Sequence, residues 1–153
     1  MKRILQELGH HSIIALDTCI FIYHLEENKK YLPYTELLLE KLLPQGKINA
    51  TCSALVLTEL LIRPMREKRL DLVLSYKALM IGFPHLSIIS VDPQVAEQAA
   101  YFRSAYNQKT PDSIHLASAL VSGATLIIGN DRQWKRIKEI RVIALDDYAS
   151  RSS

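Results

Sequence analysis

Five short runs of the chain are apolar on neighbouring positions and rich in β-branched residues: Ser12 to Leu16, Ile48 to Thr51, Leu86 to Val91, Thr125 to Gly129 and Arg141 to Leu145. Runs of this length and make-up predict strands, and several lack the polar alternation of a half-exposed sheet, as parallel strands covered on both faces do. Longer helical segments separate them. Thr18 to Glu27 follows the first strand. Tyr34 to Leu43 ends before Pro44-Gln45-Gly46, Ala54 to Ile62 starts after a possible Ser53 cap and meets Pro64, and Asp71 to Ile81 stops at Gly82. Asp92-Pro93 opens a helix to about Asn107, and Thr110-Pro111 opens another to about Ser122, closed by Gly123. The alternation predicts a three-layer α/β/α fold with a central, mostly parallel sheet. Sites in such sheets form beyond the carboxyl ends of the strands.

No repeat, low-complexity run or linker interrupts the pattern, and 153 residues suit one domain. A hydrophobic fraction of 48% supports a core and argues against disorder. The net charge of +3 permits a polyanionic partner without requiring one. Cys19 and Cys52 stand far apart in no CxxC pattern, so they read as buried or free thiols of a reducing compartment, not as a disulfide or a zinc site. Lys2-Arg3 is followed by no apolar stretch of a secretory signal, and no segment approaches the roughly 18 apolar residues of a membrane span. A cytoplasmic protein with no membrane role is the expectation.

Four of the sixteen acids are placed unusually. Asp17 directly follows Ile13-Ile14-Ala15-Leu16, and Asp131 follows Thr125-Leu126-Ile127-Ile128-Gly129-Asn130. A helix cap would explain the first and a turn residue the second. Asp112 lies at the start of the helix opened by Thr110-Pro111, where the helix dipole favours a carboxylate. Glu59 interrupts Ala54-Leu55-Val56-Leu57-Thr58 and Leu60-Leu61-Ile62, and a charge there is costly unless paired or liganded. Its ordinary explanation is an ion pair with Arg63.

Taken together, these residues resemble the PIN-domain family, particularly the VapC-type toxins of bacteria and archaea. The resemblance runs through Leu16-Asp17-Thr18, the Ser53 to Leu60 segment, Asp112-Ser113-Ile114-His115-Leu116-Ala117-Ser118-Ala119 and Gly129-Asn130-Asp131-Arg132-Gln133-Trp134, and covers nearly the whole chain. It implies that Asp17, Glu59, Asp112 and Asp131 are the family's four acids. Thr18 supplies the hydroxyl usual after the first Asp. Two positions depart from the pattern. Gly129 stands where the family has Thr, which weakens the expected ordering of the last acid, and Trp134 stands where Phe is common.

The resemblance implies an endoribonuclease, and the residue chemistry agrees with a metal site. Clustered carboxylates repel one another without a cation, and Mg²⁺ or Mn²⁺ prefers oxygen ligands. Such ions neutralise phosphate charge and generate a nucleophile from water. Asp17 and Asp112 are expected to ligate the metal directly, Glu59 to ligate or to orient a metal-bound water, and Asp131 to act directly or through water. Thr18, Asn130 and Ser113 are expected to support these ligands. His115, one turn from Asp112, reads as a packed histidine, Trp134 as core, Asp92 as the cap before Pro93, and Asp146-Asp147 as the start of a short helix. The basic runs Arg63, Arg66, Lys68, Arg69 and Arg132, Lys135, Arg136, Lys138 read as solvated faces that can also track phosphates.

The expected partners are an RNA substrate, a cognate antitoxin and a second copy in a homodimer, with Tyr34 to Leu43 and Ala54 to Ile62 as candidate contact helices that read equally as core, the second more readily than the first. The toxin of a type II toxin–antitoxin pair is favoured by the absence of an appended domain. The alternatives are a housekeeping RNA-processing nuclease and a catalytically silent PIN fold that binds RNA or protein. A phosphatase of the haloacid-dehalogenase type would want Asp at position 19, which is Cys. A receiver domain would want an acidic pair at the first strand, and nucleotide binding would want a glycine-rich phosphate loop; neither is present.

Overall fold

The computed structural model describes residues 1–149. Five strands, β1 (Ile13–Leu16), β2 (Asn49–Ser53), β3 (Leu86–Ile89), β4 (Leu126–Gly129) and β5 (Arg141–Ala144), form one sheet in the order β3-β2-β1-β4-β5. Every pair is parallel, with Ala15 opposite Thr51 on one side and Ile127 on the other. The apolar runs therefore mark the strands correctly, with ends differing by one or two residues.

Side chains alternate across each strand and supply two cores. Ile14 and Leu16 of β1 and Leu126 and Ile128 of β4 enter one, while Ala15 and Ile127 enter the other. The first core packs under α1 (Lys2–Leu8), α2 (Thr18–Leu25), α3 (Leu32–Glu36), α4 (Leu55–Arg66) and α5 (Leu70–Gly82). The second packs under α6 (Pro93–Tyr106) and α7 (Thr110–Val121), with Trp134 1% exposed in a 3₁₀ turn, Arg132–Arg136. A short α8 (Asp146–Ala149) follows β5. Layers on both faces confirm the α/β/α expectation. The Asp92 carboxylate accepts from Val95 N at 2.8 Å, as its reading as a cap requires.

Three elements depart from the expected pattern. Tyr34 to Leu43 is not one α-helix: α3 runs on into a π-helical stretch, Leu37–Leu42, with Leu43 N bonded to Leu38 O at 3.0 Å. The wider turn lets Leu37, Leu38, Leu39, Leu42 and Leu43 all be buried. That segment is core, so it is not available as a contact helix. The helix from Ala54 does not stop before Pro64 but continues to Arg66 with Pro64 buried. One backbone bond is lost there, while Glu67 N and Lys68 N still close the last turn on Arg63 O and Met65 O. Finally, α1 was not anticipated. Ile4 and Leu8, one turn apart, are 0% and 3% exposed. Glu7 pairs with Arg141 at 2.9 Å, and Arg3 lies over the Tyr148 ring.

β1 sits at the middle of the sheet, and the connections after it move outward first to one side and then to the other. The crevice between the carboxyl ends of β1 and β4 is therefore the topological switch point, where α/β sheets place their sites.

Candidate active site at the switch point

Asp17 stands at the end of β1. Its amide extends the sheet by donating to Ile128 O at 2.9 Å. It occupies the N-cap position of α2 with extended backbone, yet its carboxylate makes no capping bond. The cap explanation for this acid fails. Burial raises its pKa; the charge of His115 works against the rise, and Glu59 adds to it. The Cys19 thiol donates to the same carboxylate, and burial together with that charge pushes its pKa up. Cys52 is pushed up to about 12 by burial, and neither cysteine is in a disulfide.

Asp112 lies in the first turn of α7, the third residue because the helix starts at Thr110 with Lys109 as its cap position. Burial raises its pKa first, then the charges of Asp131 and Asp17, with Glu59 also contributing. Asp112 thus feels the charge of the acids that follow β1 and β4 and of one acid on α4. Asp131 caps the 3₁₀ turn, its Oδ1 accepting from Gln133 N at 2.8 Å. Its turn-residue explanation is therefore realised, and a backbone amide orders it without the hydroxyl that Gly129 lacks.

Glu59 does not pair with Arg63. Arg63 reaches Glu67 at 3.0 Å and Glu26 at 3.5 Å, on solvent-exposed side chains. Glu59 Oε1 instead accepts from His115 Nε2 at 2.7 Å. Burial opposes its charge, but the hydrogen bond and charge of His115 prevail and hold its pKa below the usual value. His115 is buried, with Nε2 also 3.3 Å from Thr18 Oγ1 and 3.9 Å from Asp17 Oδ1. It is packed, as its sequence context suggested, but it is packed inside the site. The signal for this was its spacing of three from Asp112, which puts both on one helix face.

The supporting residues divide. Thr18 is buried beside His115. Ser113 is buried, and its hydroxyl has no partner among the described residues. Asn130 is turned to other work: its amide donates to Tyr23 and Tyr31, and its carbonyl accepts from Asp146 N at 2.9 Å. Much of the flanking basic charge is engaged locally, Arg69 with Asp71, Lys135 with Asp147 and Arg136 with Tyr106 O.

Among the described residues, no three acid, histidine or cysteine side chains are gathered closely enough to hold a metal ion. Asp17 and Asp112 feel the charge of the neighbouring acids without forming a closed ligand shell with them. None of the described helices is long and apolar enough to cross a membrane.

No curated relative matches the chain in sequence. Solved structures do match in fold. VapBC2 from Rickettsia felis, bound to a DNA fragment from its promoter, superposes with a TM-score of 0.65 at 20% identity, covering 86% of this chain and 98% of that one. A toxin–antitoxin complex from Klebsiella pneumoniae gives 0.64 at 20% identity over 86% and 96%. VapBC-1 from nontypeable Haemophilus influenzae gives 0.64 at 17% identity over 88% and 98%. The PIN domain family model matches residues 14–140, which hold all five carboxylate and imidazole groups of the crevice and four of the five strands. The chain therefore belongs to the PIN domain family, whose members are generally nucleases.

Proposed function

We propose that this protein is a Mg²⁺- or Mn²⁺-dependent endoribonuclease that hydrolyses RNA phosphodiester bonds, acting as the toxin of a type II toxin–antitoxin pair. The observation that supports the proposal is that Asp17 and Asp131 follow the neighbouring strands β1 and β4, with Asp112 in reach of the charges of both and of Glu59. PIN nucleases generally use divalent metals, and the donor set here fits a hard cation: oxygen ligands only, with Asp17 and Asp112 disfavoured as free charges. Asp17 and Asp112 would hold the ion, with Glu59 and Asp131 completing the shell or orienting water. When bound, the ion neutralises phosphate charge and lowers the pKa of water. The chain's own groups do the rest. Thr18 and His115 fix Glu59, Gln133 N fixes Asp131, and the sheet bond of the Asp17 amide fixes the first acid.

The antitoxin partner is supported by the neighbours, which were solved as toxin–antitoxin complexes. A groove of about 390 Å³ lined by Leu25, Leu60, Pro64, Leu72 and Tyr76 offers apolar surface next to Glu59. For a homodimer, α4 and α5 present Ile62, Met65, Leu70, Leu74 and Ile81 to solvent. A cytoplasmic setting fits the two unpaired thiols. The open ligand arrangement favours one rival, a silent PIN fold that binds RNA or protein without cutting it.

One assay separates the two. Purified wild type and Asp17→Asn are incubated with RNA in Mg²⁺, in Mn²⁺ and in EDTA. Cleavage by wild type alone, abolished by EDTA, is the expected result. RNA retention without cleavage in any metal would establish the silent fold instead.

A further inference from the structure

His115 is 4% exposed, yet its ring faces three oxygen groups: Glu59 Oε1 at 2.7 Å, Thr18 Oγ1 at 3.3 Å and Asp17 Oδ1 at 3.9 Å. All three lie on the Nε2 side. On the other side, Nδ1 is buried and has no partner among the described residues. A carboxylate only accepts, so whether the ring is neutral or cationic, the nitrogen at hydrogen-bond distance from Glu59 must carry a proton. The ring proton therefore belongs on Nε2, aimed at the carboxylates.

We propose that His115 is a positioning residue for Glu59: its Nε2–H clamps the Glu59 carboxylate in the crevice, so that the place of this acid is set by α7 and not by α4. The proposal rests on the metal-dependent nuclease reading for its consequence, though not for its geometry. Glu59 has a long, rotatable side chain that is 33% exposed, and the arginine one turn on is occupied by Glu26 and Glu67. Without His115 nothing on α4 would select one rotamer over the others. Thr18 adds a second hydrogen bond to the same carboxylate. A carboxylate offers about four lone-pair sites, so two donors leave capacity for an ion or a bound water. α7 thereby delivers two groups to the crevice one turn apart, Asp112 as an acid and His115 as the holder of another acid.

The test uses the full chain, with His115→Phe to remove the donor and His115→Gln to keep an N–H at similar reach. Three readouts are taken: Mn²⁺ affinity of the protein alone, kcat and KM for RNA cleavage, and the ¹⁵N NMR signature of the His115 ring in wild type and in Glu59→Gln. The expected spectrum shows a slowly exchanging proton on Nε2 that shifts in Glu59→Gln. Folded His115→Phe is expected to lose Mn²⁺ affinity and kcat by roughly tenfold or more, with KM little changed, and His115→Gln to restore most of both. A bare Nε2 in wild type overturns the proposal. So does a folded His115→Phe with wild-type Mn²⁺ affinity and kcat, or a folded Gln variant no better than Phe. If the Phe variant does not fold, the ring spectrum and the Gln variant decide. A wild type that shows the Nε2 proton and binds Mn²⁺ but cuts no RNA would sink the nuclease reading and leave the clamp standing.

Discussion

Asp17 and Asp131 both follow a buried parallel strand, and the strands they follow, β1 and β4, are hydrogen-bonded neighbours. Both acids stand at the N-cap of the next helical turn, in extended backbone. Yet Asp131 spends a carboxylate oxygen on Gln133 N, while the Asp17 carboxylate makes no capping bond, meeting instead the Thr18 amide and the Cys19 thiol where burial raises its pKa. Position at the sheet edge is shared; the use of the charge is not. A carboxylate that caps a turn lowers the free energy of the fold, whereas one held in a crevice without a cap is tolerated for what it binds.

The widest separation is expected in catalysis. Asp17→Asn, and likewise Asp112→Asn, should reduce metal-dependent RNA cleavage by about two orders of magnitude or more, with circular dichroism unchanged. Asp131→Asn should cost only about tenfold, as an acid acting through water or a neighbour would. Equal losses at 17 and 131 would erase the distinction.

Metal binding gives the next largest contrast. At a free Mn²⁺ concentration of 100 times the dissociation constant, wild type should gain about 2.7 kcal/mol, and Asp112→Asn clearly less. In EDTA, Asp112→Asn should melt no lower than wild type, because relief of carboxylate repulsion offsets the lost helix-start charge of about 0.3–1 kcal/mol. The sign with pH follows from the raised pKa of Asp112. Between its ordinary value of 3.8 and its folded value, the folded state holds more protons than the unfolded state, so acidification favours folding. The gap between apo Asp112→Asn and apo wild type should therefore close as pH falls through the folded pKa. Identical Mn²⁺-induced shifts in thermal melts of the two proteins would reduce Asp112 to a helix-start carboxylate.

The junction between the two strand ends can be probed at Gly129. A Cβ there would lie 3.2 Å from the Asp17 Cβ and 3.3 Å from the Trp134 ring, tighter than side chains accept without movement. Gly129→Thr is expected to destabilise by about 1–3 kcal/mol in urea unfolding. Adding Trp134→Phe should return part of that, since the smaller ring retreats from the contact. An additive double mutant would show that the two departures from the family pattern are unrelated.

The smallest effect concerns the caps themselves. Asp131→Ala should cost about 1 kcal/mol for the lost turn bond. Asp17→Ala should cost less than that or stabilise the apo protein. A larger loss at 17 than at 131 would reinstate the cap reading that the geometry removed.

The strand ends were legible because buried parallel strands leave unbroken apolar runs, and an acid after Leu16 or after Asn130 marks the carboxyl edge. The family resemblance, resting on the same residues, placed the four acids in order. The partner of Glu59 was not legible. Arg63 is its neighbour on the helix, while His115 comes from α7, far along the chain, and local spacing speaks only for the former. The same limit hid the continuation through Pro64, whose burial offsets a lost backbone bond, and the π-helical turn, around which five leucines are buried. In α1 the signal existed, Ile4 and Leu8 one turn apart, but seven residues are too few for a helical period to stand out among charges.

α1 and α8 fasten the two ends of the chain to each other. Glu7 and Arg141 meet across 134 positions of sequence, and Arg3 rests on Tyr148. Both helices lie outside the stretch that the family model matches. An exposed pair of such long range is expected to form only after the intervening chain has been ordered, so this clasp should close late. Late contacts govern how fast a protein opens more than how fast it forms. Arg141→Ala should accordingly speed unfolding in stopped-flow denaturant jumps and leave the refolding rate nearly unchanged. That outcome would make the helix before β1 a kinetic lock on the finished sheet.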